Sequence, residues 1–193
     1  MSIVIQNLSK TFFPGTSREH MALKNVNLTI QEGDFITIVG GNGAGKSTFL
    51  NAIAGNFSLD EGTIAFDGHQ IQNTADYERA AYISRVFQDP MQGTAPRMTV
   101  AENLALANRR GQKRSIFNSS SKEELQQFEA LLAPLGLGLE DRLHTEIGLL
   151  SGGQRQAISL LMATMNAPQL LLLDEHTAAL DPKTQRKIMQ KTQ

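Results

Sequence analysis

Residues 40–48 read Gly40, Gly41, Asn42, Gly43, Ala44, Gly45, Lys46, Ser47 and Thr48. Glycine recurs where backbone N–H groups must converge on an anion and a Cβ would obstruct them. The string satisfies Gly-x4-Gly-Lys-Ser, the pattern of a phosphate-binding loop, and suits the handling of a nucleoside triphosphate. Gly40, Asn42, Gly43, Ala44 and Gly45 form the cradle. Lys46 reaches the β- and γ-phosphates as a point charge, Ser47 offers its hydroxyl to Mg²⁺, and Thr48 contacts the α-phosphate. The amino end of the following helix adds partial positive charge. A glycine-rich turn with a chance Lys-Ser is the reading that needs no ligand.

A second group of residues suits the same chemistry. Four leucines at Leu170–Leu173 run into Asp174 and Glu175, so a buried strand presents two acids at its carboxyl end, where an open α/β sheet holds its ligand. Asp174 holds Mg²⁺, through water, and Glu175 polarises the attacking water, so catalysis rests on positioning and charge. Read without the loop, the run is an ordinary strand exit. A third group, Leu150, Ser151, Gly152, Gly153 and Gln154, puts a hydroxyl and two glycines at a helix start. Free N–H groups there make a second anion site, although an ordinary N-cap has the same composition.

Elements must position these groups. Residues 3–8 and 26–30 alternate apolar and polar side chains as half-buried strands do, and residues 63–66 form another short strand between glycine turns. Residues 35–39 read as a buried-type strand running into the phosphate loop, and Lys46–Ala54 has apolar residues at helical spacing, which together give the strand, loop and helix that the loop requires. Val100–Asn108, Lys122–Leu132 and parts of the segment after Gly138 read as helices, 151–165 as a buried helix stopped by Ala167 and Pro168, and Leu170–Leu173 as a parallel strand. No repeat or low-complexity segment interrupts them.

Bulk properties exclude other classes. The 193 residues suit one cored domain. A formal net charge of −1 gives no electrostatic footprint for nucleic acid, so none is expected as a partner. No stretch approaches the roughly 18 consecutive apolar residues of a membrane span, and the start of the chain lacks the regions of a signal peptide, so a soluble, cytosolic chain is expected. With no cysteine, disulfides, thiolate metal sites and cysteine nucleophiles drop out.

On the phosphate loop, the leucine run into Asp174 and Glu175, and above all Leu150 to Gln154, the chain resembles the ATP-binding subunit of an ABC transporter. The resemblance implies an α/β fold: a phosphate-loop NTPase core with a mixed or parallel sheet, an N-terminal antiparallel β subdomain and an inserted helical subdomain. It divides the single domain into a nucleotide-binding core of about 1–89 and 166–193 and a helical subdomain of about 90–165 that carries the signature. It implies ATP and Mg²⁺ as cofactors. It also implies a head-to-tail dimer in which Ser151, Gly152, Gly153 and Gln154 contact the γ-phosphate held by a second copy, so one chain cannot complete its own site. Gln88 matches the family's glutamine loop, touching Mg²⁺ and the attacking water, although a Gln before Asp89 and Pro90 is also an ordinary turn residue. Glu175, Lys46 and Gln88 are thus the catalytic set, and Ser47, Gln88 and Asp174 the metal set. Ala179, Leu180 and Asp181 match the dimer-contact loop. Phe12 stands where the family stacks an aromatic on adenine, with Phe13 the alternative and a packed core residue the plain reading of either.

Departures from the pattern are also present. The family's switch histidine and further strands lie past Gln193, where this chain stops, so a truncated domain that binds ATP better than it hydrolyses it is expected. His176 follows Glu175 directly and is not that histidine. Ala157 and Leu161 stand where many importer subunits carry arginines. Arg109, Arg110, Lys113 and Arg114 read as a solvated loop rather than a lipid-headgroup contact. Three functions remain open. One is a motor on the cytoplasmic face of a membrane, coupled to a separate permease subunit and, in an importer, to a solute-binding protein. The others are a soluble ABC ATPase acting on ribosomes or DNA and a nucleotide-binding module inactive in hydrolysis.

Overall fold

Ile3 and Ile5 share one face of a strand, and Leu8 is buried with them although its parity is opposite. A left-handed residue between them resolves the conflict. Asn7 has φ 53°, and the pairing slips between Ile5 and Leu8, so the bulge returns the apolar side chain to the core face. This is a computed structural model, and it describes residues 1–111 and 121–174. It divides into two compact units, Met1–Ala80 and Ala81–Gln193.

In the first unit, β1 (Ser2–Phe12) pairs antiparallel with β2 (His20–Gln31) on one side and β3 (Glu61–Phe66) on the other. The two-residue β4 (His69–Gln70) completes the order β2-β1-β3-β4. The expected strands at 3–8, 26–30 and 63–66 all fall inside these elements. Helix α1 spans Lys46–Ala54 and buries Phe49, Leu50, Ala52 and Ile53. It starts and ends on left-handed glycines, Gly45 and Gly55, both at φ 86°. The short α2 (Asp76–Arg79) delivers Arg79, 2% exposed, to its far end. There the guanidinium donates to Ala52 O at 3.0 Å and Ile53 O at 2.9 Å, a cation at the carbonyl end of the helix.

One expected element is not formed. Residues 35–39 carry the composition of a buried strand, yet they make no strand, and Phe35 and Val39 are 83% and 89% exposed. Composition favours burial, but a strand exists only through a hydrogen-bonded neighbour, and no described strand pairs with this segment.

The second unit is built on β5 (Ile83–Val86) and β6 (Leu170–Leu173), paired in parallel from Ile83 with Leu170 to Val86 with Leu173. Helices α3 (Val100–Asn108), α4 (Lys122–Leu132) and α5 (Gly152–Thr164) close over a core that includes Val86, Leu104, Phe128, Leu132, Ile147 and Ile158. Each helix opens on a hydroxyl cap. Thr99 Oγ1 accepts from Glu102 N, Ser121 Oγ from Glu124 N and Ser151 Oγ from Gln154 N. The helices expected after Gly138 and before α5 appear only as 3-10 turns at Glu140–Arg142 and Ile147–Leu149, too short to propagate. Asn103, 1% exposed, ties down the chain before α3: its Oδ1 accepts from Ala95 N, and its amide donates to Ala95 O, Met98 O and Thr99 O.

Gly62 tests the bulge on which the first sheet depends. It has φ 95°, and a Cβ there would lie 2.5 Å from Gln6 O and 2.6 Å from Asn7 O. Gly62→Ala is expected to cost about 2–4 kcal/mol in urea unfolding followed by circular dichroism. A loss below about 0.5 kcal/mol would show that β1 and β3 separate there at little cost.

Candidate functional site: a phosphate loop and a capped signature helix

The amino end of α1 is fixed by a glycine that admits no side chain. A Cβ on Gly45 would run into Ala22 O of β2, and the left-handed φ of 86° already disfavours any other residue. Phe49 N donates to Gly45 O at 2.8 Å, so the helix is engaged from its first turn. No side chain caps it, and no acidic residue occupies its first turn. The remaining early N–H groups therefore face the loop, where they suit an anion.

Lys46 completes the loop. Its ammonium donates to Gly40 O at 2.8 Å and Gly41 O at 3.0 Å, while Ala44 N donates to Gly41 O at 3.2 Å. Gly41, Asn42, Gly43 and Ala44 are exposed, and a Cβ on Gly41 or Gly43 would meet nothing within 4 Å. The cradle is thus open on its outer side. Its N–H groups and the Lys46 ammonium, with the hydroxyls of Ser47 and Thr48 in the first turn of α1, are donors of the kind that suit a polyphosphate.

Beside it lies the aromatic candidate. Ala22 and Leu23, against which Gly45 packs, belong to the stretch of β2 paired with Lys10, Thr11 and Phe12. Phe12 is half-buried and meets Phe57 edge-on at 5.4 Å, with the Lys10 ammonium 5.7 Å from its ring centre and 5.6 Å from that of Phe57. Asp60 holds the same ammonium at 2.7 Å, and its carboxyl is pulled below its ordinary range by that bond first and by the Thr11 N–H second. Phe13 is 59% exposed, has φ 52°, an uncommon conformation for an aromatic, and lies under Arg18 at 5.5 Å. Phe57 was not among the candidates, since its place after α1 carries no motif.

The other candidates belong to the second unit. Because β5 and β6 run in parallel register, Gln88 and Asp174 leave the sheet at the same carboxyl edge. Gln88 is exposed, and Asp174 is 13% exposed, with its N–H donating to Val86 O. Arg85 Nη2 meets Asp174 Oδ2 at 3.0 Å and is the site residue that sequence reasoning missed. Its signal was the single charge within the Ile83–Val86 strand, which demands a counter-charge. Glu175, His176, Ala179, Leu180 and Asp181 lie outside the described residues.

The signature is a helix end of a different kind. Ser151 caps α5 in a reciprocal box, since Gln154 N donates to Ser151 Oγ at 3.2 Å and Ser151 N to Gln154 Oε1 at 3.1 Å. Gln154 Nε2 also reaches Leu137 O at 3.0 Å, and Arg155 braces the approach through Leu150 O at 2.6 Å. Ser151 and Gly152 are exposed, and nothing lies within 4 Å of a Cβ on Gly152. Ala157 and Leu161 are 0% and 5% exposed in the core face of α5, where an arginine would have to bury its charge. The basic run also differs from the expected solvated loop. Arg109 is paired with Glu124 at 3.0 Å and Arg110 donates to Ser84 Oγ at 2.6 Å, both half-buried, while Lys113 and Arg114 lie outside the described residues.

For Mg²⁺ the residues present also fit. Among the described residues no group of three acidic, histidine or cysteine side chains forms a protein cage. A cation that takes most of its ligands from phosphate and water needs few protein oxygens, and each unit has oxygens of that kind: the Ser47 hydroxyl in the first, and Gln88 and Asp174 at one sheet edge in the second.

Phosphate-loop proteins of many kinds share the first of these helix ends. The serine-capped Leu-Ser-Gly-Gly-Gln end narrows the class to ATP-binding cassettes, the ATP-hydrolysing domains of transport motors. The chain belongs to the ABC transporter family, whose model, described as ABC transporter, matches residues 23–178. It is 43% identical over 188 residues to the tyrosine transport ATP-binding protein of Clostridioides difficile (strain R20291), covering 97% of this chain and 74% of that one. It is 38% identical to the phosphonates import ATP-binding protein PhnC of Alcaligenes faecalis, covering 96% of this chain and 66% of the relative. Among solved structures, a dimeric ATP-binding cassette in a post-hydrolysis state bound to ADP and Pi matches with a TM-score of 0.79 and 34% identity, over 97% of this chain and 80% of that one.

Lys46→Met keeps the length of the side chain and removes the charge. ATP affinity, read by titration with a fluorescent analogue, is expected to fall at least about ten-fold, because a charge-assisted contact to phosphate contributes on the order of 1.5–3 kcal/mol. Unchanged affinity would mean that the ammonium serves only the Gly40 and Gly41 carbonyls.

Proposed function

We propose that this cassette energises the import of a small solute: ATP binding closes a head-to-tail dimer of two copies, and hydrolysis reopens it. The observation that carries the transport reading is the 43% identity, over 97% of this chain, to a protein named for tyrosine transport. Tyrosine is accordingly the first cargo to test. A membrane permease subunit and a solute-binding protein complete the assembly, with the cassette on the cytoplasmic face. No described helix is long and apolar enough to cross a membrane, so the pathway for the solute is assigned to the permease. The soluble ribosome- or DNA-directed reading has no comparable support.

In this reading residues 40–48 hold the triphosphate, with Lys46 on its β- and γ-phosphates and Thr48 on the α-phosphate, and the ring of Phe12 or Phe13 takes the adenine. A bound Mg²⁺ would supply positive charge to offset the charge that develops on the phosphate oxygens. Ser47, Gln88 and Asp174 are the residues that would hold it, and Gln88 would also orient the attacking water. Glu175 accepts a hydrogen bond from that water, whose oxygen bonds to the γ-phosphorus in line as the bond to the β,γ-bridging oxygen breaks; ADP leaves, and the water's proton departs through Glu175. Ser151 still has its O–H to donate, since the cap uses only a lone pair, and with the α5 N–H groups it closes on the γ-phosphate of the other copy. The division into a core of about 1–89 and 166–193 and a helical subdomain of about 90–165 belongs to the same proposal.

Glu175→Gln removes the negative charge from the water-orienting group and little else. Turnover is expected to fall about 10²–10⁴-fold, as for loss of a general base, while ATP is retained and the dimer accumulates in size-exclusion chromatography. Unaltered turnover and dimerisation would remove Glu175 from this role.

A further inference from the structure

Arg85 lies in β5 between Ser84 and Val86, which are 4% and 0% exposed, and opposite an all-leucine strand. A guanidinium in such a strand is tolerated only with a counter-charge. Asp174 supplies it at 3.0 Å, with the two side chains 10% and 13% exposed. Phe87, two residues on, places its ring centre 4.5 Å from the guanidinium carbon and holds the group from another side. The Asp174 N–H donates to Val86 O at 3.1 Å. The acid is therefore tied to β5 twice, by its main chain and by its carboxylate. None of the motifs that carry the phosphate chemistry includes Arg85.

We propose that Arg85 is a positioning residue that holds and neutralises the Asp174 carboxylate, so that the site accepts a divalent cation together with nucleotide phosphates and not ahead of them. The inference rests on the reading of Asp174 as the metal-side acid. A guanidinium 3.0 Å from the carboxylate offsets its pull on an approaching cation, and its positive charge opposes that cation at short range in a partly buried setting. The triphosphate brings the negative charge that reverses this balance. Because the pair also fixes the side chain, the acid meets the incoming cation without first having to be ordered. A guanidinium there only to join β5 to β6 would contribute to stability and leave cation affinity untouched.

Mn²⁺ binding followed by electron paramagnetic resonance separates the two. The unaltered chain is expected to take up Mn²⁺ only when ATP is present, and equal uptake without nucleotide would overturn the proposal even if no variant folds. Arg85→Gln is expected to tighten Mn²⁺ binding without nucleotide about ten-fold, and Arg85→Lys, which keeps the charge, to leave it weak. A lowered melting temperature in Arg85→Gln with unchanged Mn²⁺ affinity would make the pair purely structural. Asp174→Asn tells this failure from failure of the site reading. If it leaves the enhancement of ATP binding by Mg²⁺ intact, Asp174 is not the metal-side acid and the inference falls with that reading. If it abolishes the enhancement while Arg85→Gln changes nothing, only the inference falls.

Discussion

The nucleotide half of the molecule depends on how close Gly45 comes to β2. With no side chain, and with a φ of 86° that other residues avoid, this glycine lets the start of α1 rest on the Ala22 carbonyl. That contact sets where the helix begins, and so where its unpaired N–H groups point. Phe49, Leu50 and Ile53 then bury the body of the helix, and Arg79 binds its last carbonyls. The open loop is a mobile-looking sequence of small residues, but its two anchors are rigid: a backbone contact at one side and the Lys46 ammonium on Gly40 O and Gly41 O at the other. The ammonium thus holds the two sides of the loop together while its outer face stays open.

The same economy governs the buried polar groups of both units. Arg79 and Asn103 are buried and Arg85 nearly so, and each is matched to polar partners from other segments or the preceding turn. Asn103 uses its carbonyl and its amide to hold Ala95, Met98 and Thr99, so the segment ahead of α3 keeps a fixed path. Such groups add little net stability when satisfied and cost much when left alone, so they act mainly to exclude other packings.

Much of this was legible in the sequence, and the reason is local. Lys46–Ala54, Val100–Asn108 and Lys122–Leu132 form with the expected bounds because their ends are written in neighbouring residues: Gly45 and Gly55, Thr99 with Glu102, and Ser121. The phosphate loop and the signature were legible for the same reason, each being a contiguous run whose residue types serve one backbone geometry. What was not legible is long-range. Residues 35–39 have the composition of a strand, but pairing is a property of two segments, and one of them cannot be read from the other. Arg85 finds its partner 89 residues away in Asp174. Arg109 and Arg110 looked like a solvated charge run until Glu124 and Ser84, from distant segments, were brought beside them.

The two helix ends that carry the family's chemistry solve opposite problems with the same dipole. At α1 the first turn has no side-chain cap, so the anion itself is the cap, and ligand and helix stabilise each other. At α5 the cap is already complete, because Ser151 and Gln154 satisfy one another before any ligand arrives. The first end is therefore suited to holding a phosphate. The second keeps its shape with or without a ligand and offers only the Ser151 O–H and the remaining N–H groups beside the exposed Gly152. In the function proposed above, such a surface adds its contacts when a phosphate held by a second copy is brought to it. An end that is stable while empty is what reversible closure requires, since a second strong anion site would hold the complex shut after the phosphate bond has been broken.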